Sequence, residues 1–243
     1  MCPICLYLSI MAALSVYYAY IVSNPYVWII VSFVLIYCIY KIIDKFIKLW
    51  YIITMKNIRI IQENIDVSEI VKDIERYPED WGNVGRMKGV DRQDPHTKLV
   101  RSGVLQLVMG GISKPDEFIG DTEICVPTDA TKRHLAIQKW LSENNLRPGR
   151  CAFLRTPVGE ITGKHIDEGK YYHTKDRYHL SITGTYRYSV WDHGDLDFTK
   201  EEVIIEPGTF FWFNNKKNHM AENIGDCERI AFIFDVPMNP NNP

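Results

Sequence analysis

Between Glu202 and Val236 the sequence reads EVIIEPGTFFWFNNKKNHMAENIGDCERIAFIFDV. Runs rich in β-branched and aromatic residues alternate in this stretch with clusters of Gly, Pro, Asn and Asp. Short runs of this kind, bounded by turn-forming residues, predict β-strands. We expect strands at residues 202–206, 209–213, 219–223 and 229–236, so the stretch predicts an all-β core.

Upstream of this stretch the same texture begins near Arg150. Further strands are expected at residues 151–156, 177–184 and 186–191. About seven short strands at this spacing indicate a sandwich or a double-sheet jelly roll. The chain has no glycine-rich phosphate loop and no internal repeat. We therefore predict a mainly β catalytic core, a jelly roll, over residues 150–243.

Residues 63–149 are expected to form a helical and loop-rich part that flanks this core. Asp66-Val67-Ser68-Glu69 resembles a capping box and predicts a helix that runs to about Arg76, before Pro78. An apolar, β-prone run covers residues 102–109. A second helix is predicted from Thr128 or Asp129 to about residue 144.

The N-terminus has a different composition. No Asp, Glu, Lys, Arg or His occurs from Met1 to Tyr40. Residues 4–22 are apolar and long enough to cross a hydrocarbon core of about 30 Å. Ser23-Asn24-Pro25 then predicts a turn, and residues 26–43 form a second apolar run. A transmembrane helical hairpin is expected within residues 1–62; a cleaved signal peptide fits less well, because no basic residue precedes the first run.

The charges that follow the second run predict the orientation of this anchor. Five basic residues face a single acid, Asp44, which by the positive-inside rule indicates the cytoplasmic side. They are Lys41, Lys45, Lys48, Lys56 and Arg59. Residues 46–61 predict an interfacial helix. The expectation is an integral membrane protein with a cytoplasmic catalytic domain, and the net charge of -2 argues against a nucleic-acid partner.

Candidate metal ligands lie among the predicted strands. In an extended His165-Ile166-Asp167 segment, His165 and Asp167 face the same side. A third candidate, His219, follows a strong predicted strand. Two histidines and one carboxylate form the ligand set of non-haem Fe(II) oxygenases. Because the chain has 7 histidines, this spacing can also arise by chance. The pattern alone does not decide between a metal site and a chance arrangement.

Two arginines are candidates for binding an anion. Arg229 begins the apolar strand that ends the quoted stretch, where a buried guanidinium is costly unless it meets an anion. A carboxylate of a bound dicarboxylate would pair with two N–H groups of this guanidinium. The alternative, which the sequence favours equally, is that Arg229 is a surface residue at the end of a strand. Arg177 and His179 share one face of another predicted strand, and together these groups suit 2-oxoglutarate.

These motifs, taken in order, resemble the aspartyl/asparaginyl β-hydroxylase family of Fe(II)/2-oxoglutarate-dependent dioxygenases. The resemblance covers residues 150–236. It rests on Pro157-Val158-Gly159, His165-x-Asp167, Arg177-x-His179-Leu180, Glu206-Pro207-Gly208, Phe213-Asn214-Asn215-x-x-x-His219, His219-x-x-x-Asn223 and Arg229 ten residues after His219. The asparagines at 214 and 215 replace aspartates of the family motif.

The resemblance implies a double-stranded β-helix in which His165, Asp167 and His219 bind Fe(II). It also implies that Arg177, His179 and Arg229 hold 2-oxoglutarate, with O2 as the other co-substrate. Asp167 makes the chain more similar to the bacterial and viral type than to animal members, which lack the carboxylate. Leu154 stands where some members have a serine that contacts 2-oxoglutarate.

The implied activity is hydroxylation of an unactivated C–H bond. The first expectation for the substrate is an Asp or Asn residue of a protein. The alternative is an acyl chain of a membrane lipid, which the predicted anchor favours modestly because it would hold the site at a bilayer. A second alternative is a domain that only binds, which the intact set of candidate ligands and arginines disfavours.

Overall fold

The computed structural model describes residues 11–12, 14–15, 31–44, 56–82, 103–111, 117–192 and 199–238. The chain divides into two compact units, Met1–Thr54 and Met55–Pro243. In the first unit the described residues are helical. No helix within the described residues is long and apolar enough to cross a membrane. Most of the predicted hairpin lies outside the described residues, so the anchor stays a prediction.

The predicted interfacial helix is wrong where the structure describes it. Ile58–Gln62 form a strand, β1, which pairs antiparallel with Phe210–Phe213. The apolar and basic residues alternate here with the period of two that suits a strand and not a helix. Ile58 is buried between the sheets and Arg59 faces the other way, over the Trp212 ring. The remainder of that predicted helix, residues 46–55, lies outside the described residues.

The second unit is built from two antiparallel sheets. Within the described residues, the larger sheet has 7 strands in the order β1-β9-β6-β11-β4-β2-β3, and the smaller has 4 in the order β5-β10-β7-β8. The bounds are β1 Ile58–Gln62, β2 Val104–Gly110, β3 Cys125–Pro127, β4 Cys151–Thr156, β5 Ile161–His165, β6 Lys175–Thr183, β7 Tyr186–Trp191, β8 Lys200–Ile205, β9 Phe210–Phe213, β10 Asn218–Asn223 and β11 Arg229–Pro237. The helices are α1 Ser68–Arg76, α2 Leu135–Glu143 and α3 Lys170–His173, with 3-10 turns at Pro78–Asp80, Ile119–Asp121 and Asp129–Lys132.

The path of the chain from β4 to β11 is that of a jelly roll. The strands β4, β6, β9 and β11 lie in the larger sheet, and β5, β7, β8 and β10 lie in the smaller one. The chain therefore crosses between the sheets repeatedly instead of completing one before starting the other. This confirms the predicted mainly β, two-sheet fold, flanked by α1 and α2.

Two apolar clusters hold these layers together. One lies on the outer face of the larger sheet, where Phe232 and Phe234 of β11 contact Phe153, Phe210 and Trp140 of α2. The other fills the space between the sheets and contains Ile58, Tyr186, Tyr188, Val190, Ile205, Phe211, Phe213 and Ala221. One end of that inner space is left to polar side chains, and the candidate site lies there.

Several predicted element bounds differ from the structure. Strand β5 was not predicted, because its short sequence ITGKH has one buried side chain, Thr162, and little apolar alternation. No capping box forms at α1, since its N-cap is Val67. The second predicted helix is broken: a 3-10 turn precedes α2, and the Thr131 hydroxyl donates to the Leu107 carbonyl at 2.6 Å, which ties the turn to β2.

Replacing Phe232 by Ala should lower the free energy of unfolding by about 3–5 kcal/mol, because the ring is fully buried and its loss leaves a cavity. Urea unfolding measures the change. The matched control is Ile204→Thr on β8, where the side chain is 47% exposed and the change should stay within about 0.5 kcal/mol. Equal losses in the two variants would contradict this account of the outer cluster.

Candidate metal centre

Three candidate ligands converge at the ends of two neighbouring strands. Strand β5 ends at His165, and β10 runs antiparallel beside it with His219 directly opposite His165. The two imidazole centroids are 4.3 Å apart. Asp167 follows β5 by two residues, and the ligand atoms of all three side chains lie within 4.8 Å of one another. The structure therefore brings together residues that are more than fifty positions apart in sequence.

Both histidines present the same ring nitrogen to this space. The Nδ1 atom of His165 lies 2.7 Å from the Gly163 carbonyl, and that of His219 lies 2.9 Å from the Lys217 carbonyl. A carbonyl oxygen only accepts, so each Nδ1–H donates and each Nε2 keeps its lone pair. A backbone carbonyl that fixes the tautomer in this way is typical of histidines that bind metals.

Asp167 is a buried carboxylate with one oxygen to spare. Its Oδ1 accepts a hydrogen bond of 2.8 Å from Arg177 Nη1 and lies 3.9 Å from His165 Nε2. Its Oδ2 is buried without a hydrogen-bond partner. Burial acts to raise the pKa of Asp167, but the charge of Arg177, followed by His219, outweighs it and the pKa is lowered. The side chain is therefore an anion with an unsatisfied acceptor atom next to two imidazoles.

His219 is neutral at pH 7 for a physical reason. Burial disfavours its charged form and lowers its pKa to about 4, although the neighbouring Asp167 opposes this shift. A neutral imidazole offers its lone pair without first losing a proton. The three side chains thus have the donor types that a divalent metal ion needs, and Asp167 and His219 also have suitable protonation states.

All six residues proposed from the sequence line one cavity of about 530 Å³ between the sheets. The cavity has a polar end with the three candidate ligands and an apolar wall that includes Leu154, Phe213 and Ile233. The six are His165, Asp167, Arg177, His179, His219 and Arg229. Their placement agrees with the sequence analysis, and their roles stay predictions.

Arg229 is a buried cation that has no anionic partner among the described residues. Its side chain is 1% exposed, its Nη1 donates to the Thr156 hydroxyl at 3.3 Å, and its Cζ lies 4.1 Å from the centre of the Tyr186 ring. Its Nε is buried without a hydrogen-bond partner. In the part of the chain that the structure describes, no carboxylate pairs with it. An uncompensated buried charge is costly, and a bound anion would offset that cost.

His179 lines the same cavity as Arg229 and the candidate metal ligands and lies among aromatic rings. Its ring contacts those of Tyr188, Phe211 and Phe213 at centroid distances of 5.0 to 5.4 Å. Burial, followed by the charge of Arg229, lowers its pKa well below the usual value. Its Nδ1 is buried without a partner, so the neutral ring has a polar atom still to satisfy.

Arg177 differs from Arg229, because two carboxylates already match its charge. Arg177 donates to Asp235 from Nε at 2.7 Å and from Nη2 at 3.0 Å, and it donates to Asp167 from Nη1. Burial opposes the charge, yet the two acids hold the pKa of Arg177 well above its usual value. Sequence reasoning missed Asp235, although an acid within the apolar run IAFIFDV was a visible signal.

The mouth of the cavity was also missed from the sequence. Phe118, Ile119 and Ile166 line it and are 53%, 38% and 41% exposed. The loops that contain Gly120 and Gly169 are in direct backbone contact there. Gly169 has φ +107°, and a Cβ on it would lie 2.4 Å from the Gly120 carbonyl oxygen. Glycine is therefore required at this contact.

A buried arginine, Arg150, anchors the same loops. It donates to the carbonyls of Ile119 at 2.6 Å and Thr122 at 2.5 Å, and it stacks on Tyr171 of α3 with its Cζ 3.7 Å from the ring centre. One cation thus holds the backbone at Ile119 and Thr122 and contacts α3. The rim of the cavity is a built feature of the fold and carries an apolar surface.

The fold and the site define a two-sheet jelly-roll protein with a cluster of metal-ligand side chains. No protein-family model matches the chain, and no curated protein matches it.

Solved structures with some similarity to the chain include the following three. A predicted oxalate decarboxylase from Thermotoga maritima has a TM-score of 0.30 and 15% identity, over 40% of this chain and 72% of that chain. An oxalate oxidase in complex with glycolate has a TM-score of 0.30 and 16% identity, over 38% of this chain and 43% of that chain. The Drosophila melanogaster CENP-C cupin domain has a TM-score of 0.30 and 8% identity, over 35% of this chain and 59% of that chain. Similarity at this level carries no argument about activity.

The depressed pKa of His219 predicts how the metal-free protein responds to acid. The folded imidazole has a pKa of about 4 against 6.5 for an ordinary one, so between these values the unfolded chain binds more protons. This contribution to stability is complete above pH 6.5 and is lost as the pH falls towards 4. The loss, measured as the unfolding free energy of the wild type relative to His219→Gln, should reach roughly 3 kcal/mol. A difference that does not vary over this pH range would contradict the burial of a neutral His219.

Proposed function

We propose that this protein is an Fe(II)- and 2-oxoglutarate-dependent dioxygenase that hydroxylates an unactivated C–H bond. One observation carries the proposal: Arg229, a buried cation with no anionic partner in the described part of the chain, lines the same cavity as His165, Asp167 and His219. A metal ligand cluster alone fits many activities. A cluster beside an unmatched guanidinium is suited to a ligand that chelates metal at one end and carries a carboxylate at the other.

The residues present fit an iron ion. The donor set is two imidazole nitrogens and one carboxylate oxygen, which leaves the opposite coordination positions open. Each histidine is held by a backbone carbonyl, and Asp167 Oδ2 is a buried acceptor that still needs a partner. His165, Asp167 and His219 would therefore hold the metal. Bound Fe(II) with 2-oxoglutarate and O2 supplies the oxidising power to insert one oxygen atom into a C–H bond, with succinate and CO2 as the other products.

The charges around the cavity support a dianionic co-substrate. Arg177 and Asp235 cancel one another, and Asp167 cancels one charge of a divalent metal ion. Arg229 adds a positive charge, so the site as a whole has an excess of two. A dicarboxylate matches this excess, and Arg229 can take its distal carboxylate through Nε and the Nη groups, with His179 as a neighbouring polar contact.

The aromatic wall of the cavity has a separate task. Tyr188 and Phe213 contact His219 and His179 and are fully or almost fully buried. Their rings exclude water from the side of the metal ligands that faces the protein interior. A dry wall strengthens the interaction of Arg229 with a carboxylate, because the local dielectric is low.

For the substrate, we propose an asparagine residue of a polypeptide. The described lining has two cations, Arg177 and Arg229; the first is held by two acids, and the second is assigned to the co-substrate. An aspartate side chain would find no unmatched cation and would approach the exposed Glu168 at the mouth. The neutral amide of asparagine needs no cation as a partner and is not repelled by Glu168.

An acyl chain is the second candidate. The exposed side chains of Phe118, Ile119 and Ile166 at the mouth favour it, because an apolar rim suits a hydrocarbon as well as a peptide. The predicted membrane anchor is in keeping with the same substrate.

Replacing Arg229 by Met should weaken 2-oxoglutarate binding to the metal-loaded protein on the order of 100-fold, because a buried charge-assisted pair is lost. Metal affinity should stay unchanged. The unfolding free energy without ligand should not fall by more than about 1 kcal/mol, since no partner charge is left behind. Calorimetric titration and urea unfolding measure these quantities.

The matched control is Arg155→Met, which removes an arginine that stacks on Trp81 and does not line the cavity. Its 2-oxoglutarate affinity should equal that of the wild type. If the wild-type protein binds neither Fe(II) nor 2-oxoglutarate, the oxygenase proposal fails and the binding-domain alternative gains.

The substrate proposal is tested with peptides that differ in one residue. A peptide library built around Asn, its Asp counterpart and vesicles of acylated lipid are each incubated with the full chain, Fe(II) and 2-oxoglutarate. We expect succinate release and a mass increase of one oxygen with Asn peptides, at a rate at least ~10-fold above the Asp peptides, because the Asp charge is unmatched. A mass increase in the lipid alone would favour the acyl chain, and a preference for Asp would contradict the charge argument.

A further inference from the structure

Asp235 occupies an unusual position for a carboxylate. It lies in β11, at the centre of the larger sheet, and is 1% exposed. In the antiparallel pairing of β11 with β6 it stands directly opposite Arg177. The two side chains form a bidentate pair, with Nε to Oδ1 at 2.7 Å and Nη2 to Oδ2 at 3.0 Å. Such a fork fixes the plane of the guanidinium.

The remaining nitrogen of this guanidinium reaches the metal ligand cluster. Nη1 of Arg177 donates to Oδ1 of Asp167 at 2.8 Å, and the Tyr172 ring lies 4.7 Å from the Arg177 Cζ. A continuous chain of contacts therefore runs from a strand in the larger sheet to a loop residue just after β5 in the smaller sheet.

Asp167 needs a support of this kind. Its neighbours Ile166 and Glu168 are exposed, and its backbone N–H makes a bond of 3.2 Å to the Asn215 carbonyl. Loop residues move more than strand residues unless side-chain contacts restrain them. Arg177 donates to Oδ1, the oxygen that lies 3.9 Å from His165 Nε2, and so fixes the carboxylate beside the other candidate ligands.

We propose that Arg177, held in place by Asp235, is a positioning residue that orients the carboxylate of Asp167 for the metal. The inference rests on the proposed metal site and deepens it. Three of the five N–H groups of this guanidinium donate to these two acids, whose charges already match that of Arg177. Among the described residues Arg229 has no bond to an acid, so its charge is left to bind the co-substrate.

The test uses Co(II) as a spectroscopic probe of the metal site in the full chain. Arg177→Gln should weaken Co(II) binding by about 10–100-fold, the usual effect of losing a group that orients a ligand. Asp235→Asn should weaken it in the same direction by a smaller factor, and both should alter the visible Co(II) spectrum. The 2-oxoglutarate affinity of the Co(II)-loaded variants should change by less than about threefold, since Arg229 is intact.

Arg187→Gln is the matched control, because Arg187 pairs with Glu202 and Glu222 and does not line the cavity. It should leave Co(II) binding unchanged. A double-mutant cycle separates positioning from general support of the fold. In the Asp167→Asn background, Arg177→Gln should weaken Co(II) binding no further, since the carboxylate that it orients is gone.

The outcomes are distinct. An equal loss of Co(II) affinity in both backgrounds would show a general structural role and overturn the inference. Loss of 2-oxoglutarate binding with Co(II) affinity retained would also overturn it, and would return Arg177 to the co-substrate while the proposed function stands. If the wild type binds no Co(II), the proposed function and this inference fail together.

Discussion

The alternation of side chains along β11 is the constraint on which the rest of the structure depends. Ile230, Phe232 and Phe234 face the helices and build the outer cluster, while Arg229 and Asp235 face the space between the sheets. Successive residues of a strand point to opposite faces, so one segment makes both the hydrophobic core and the charged end of the cavity. A shift of the register by one residue would exchange the two sets and place two charges against the helices.

This constraint makes the cavity electrostatically uneven. β11 supplies one acid and one base to the interior, too far apart along the strand to pair with one another. Asp235 meets Arg177 from the neighbouring strand β6, whereas Arg229 meets the Thr156 hydroxyl and the Tyr186 ring. The first charge is matched within the fold and the second is not. That asymmetry separates a group that supports the metal ligands from a group that awaits an anion.

Much of the β core could be predicted from sequence, because its strands are apolar and bounded by strong turn formers. The predicted strands at 151–156 and 186–191 coincide with β4 and β7. The prediction of an element was wrong or absent where the local sequence pattern was compatible with more than one structure. Ile58–Gln62 was expected to be the end of an interfacial helix and is the strand β1, because its partner β9 is distant in sequence. Strand β5 has little apolar signal of its own and is held by β10.

The sequence by itself determined the class of fold and the list of candidate residues. Strand periodicity is a local property, and the six residues stand out by type and spacing within short segments. Only the tertiary structure decided how those residues differ from one another. Arg177 and Arg229 have the same side chain, and each begins a predicted strand, yet within the described residues one has two acids as partners and the other none. Partners of this kind come from other strands, and burial sets the cost of lacking them, so neither is encoded in a local stretch of sequence.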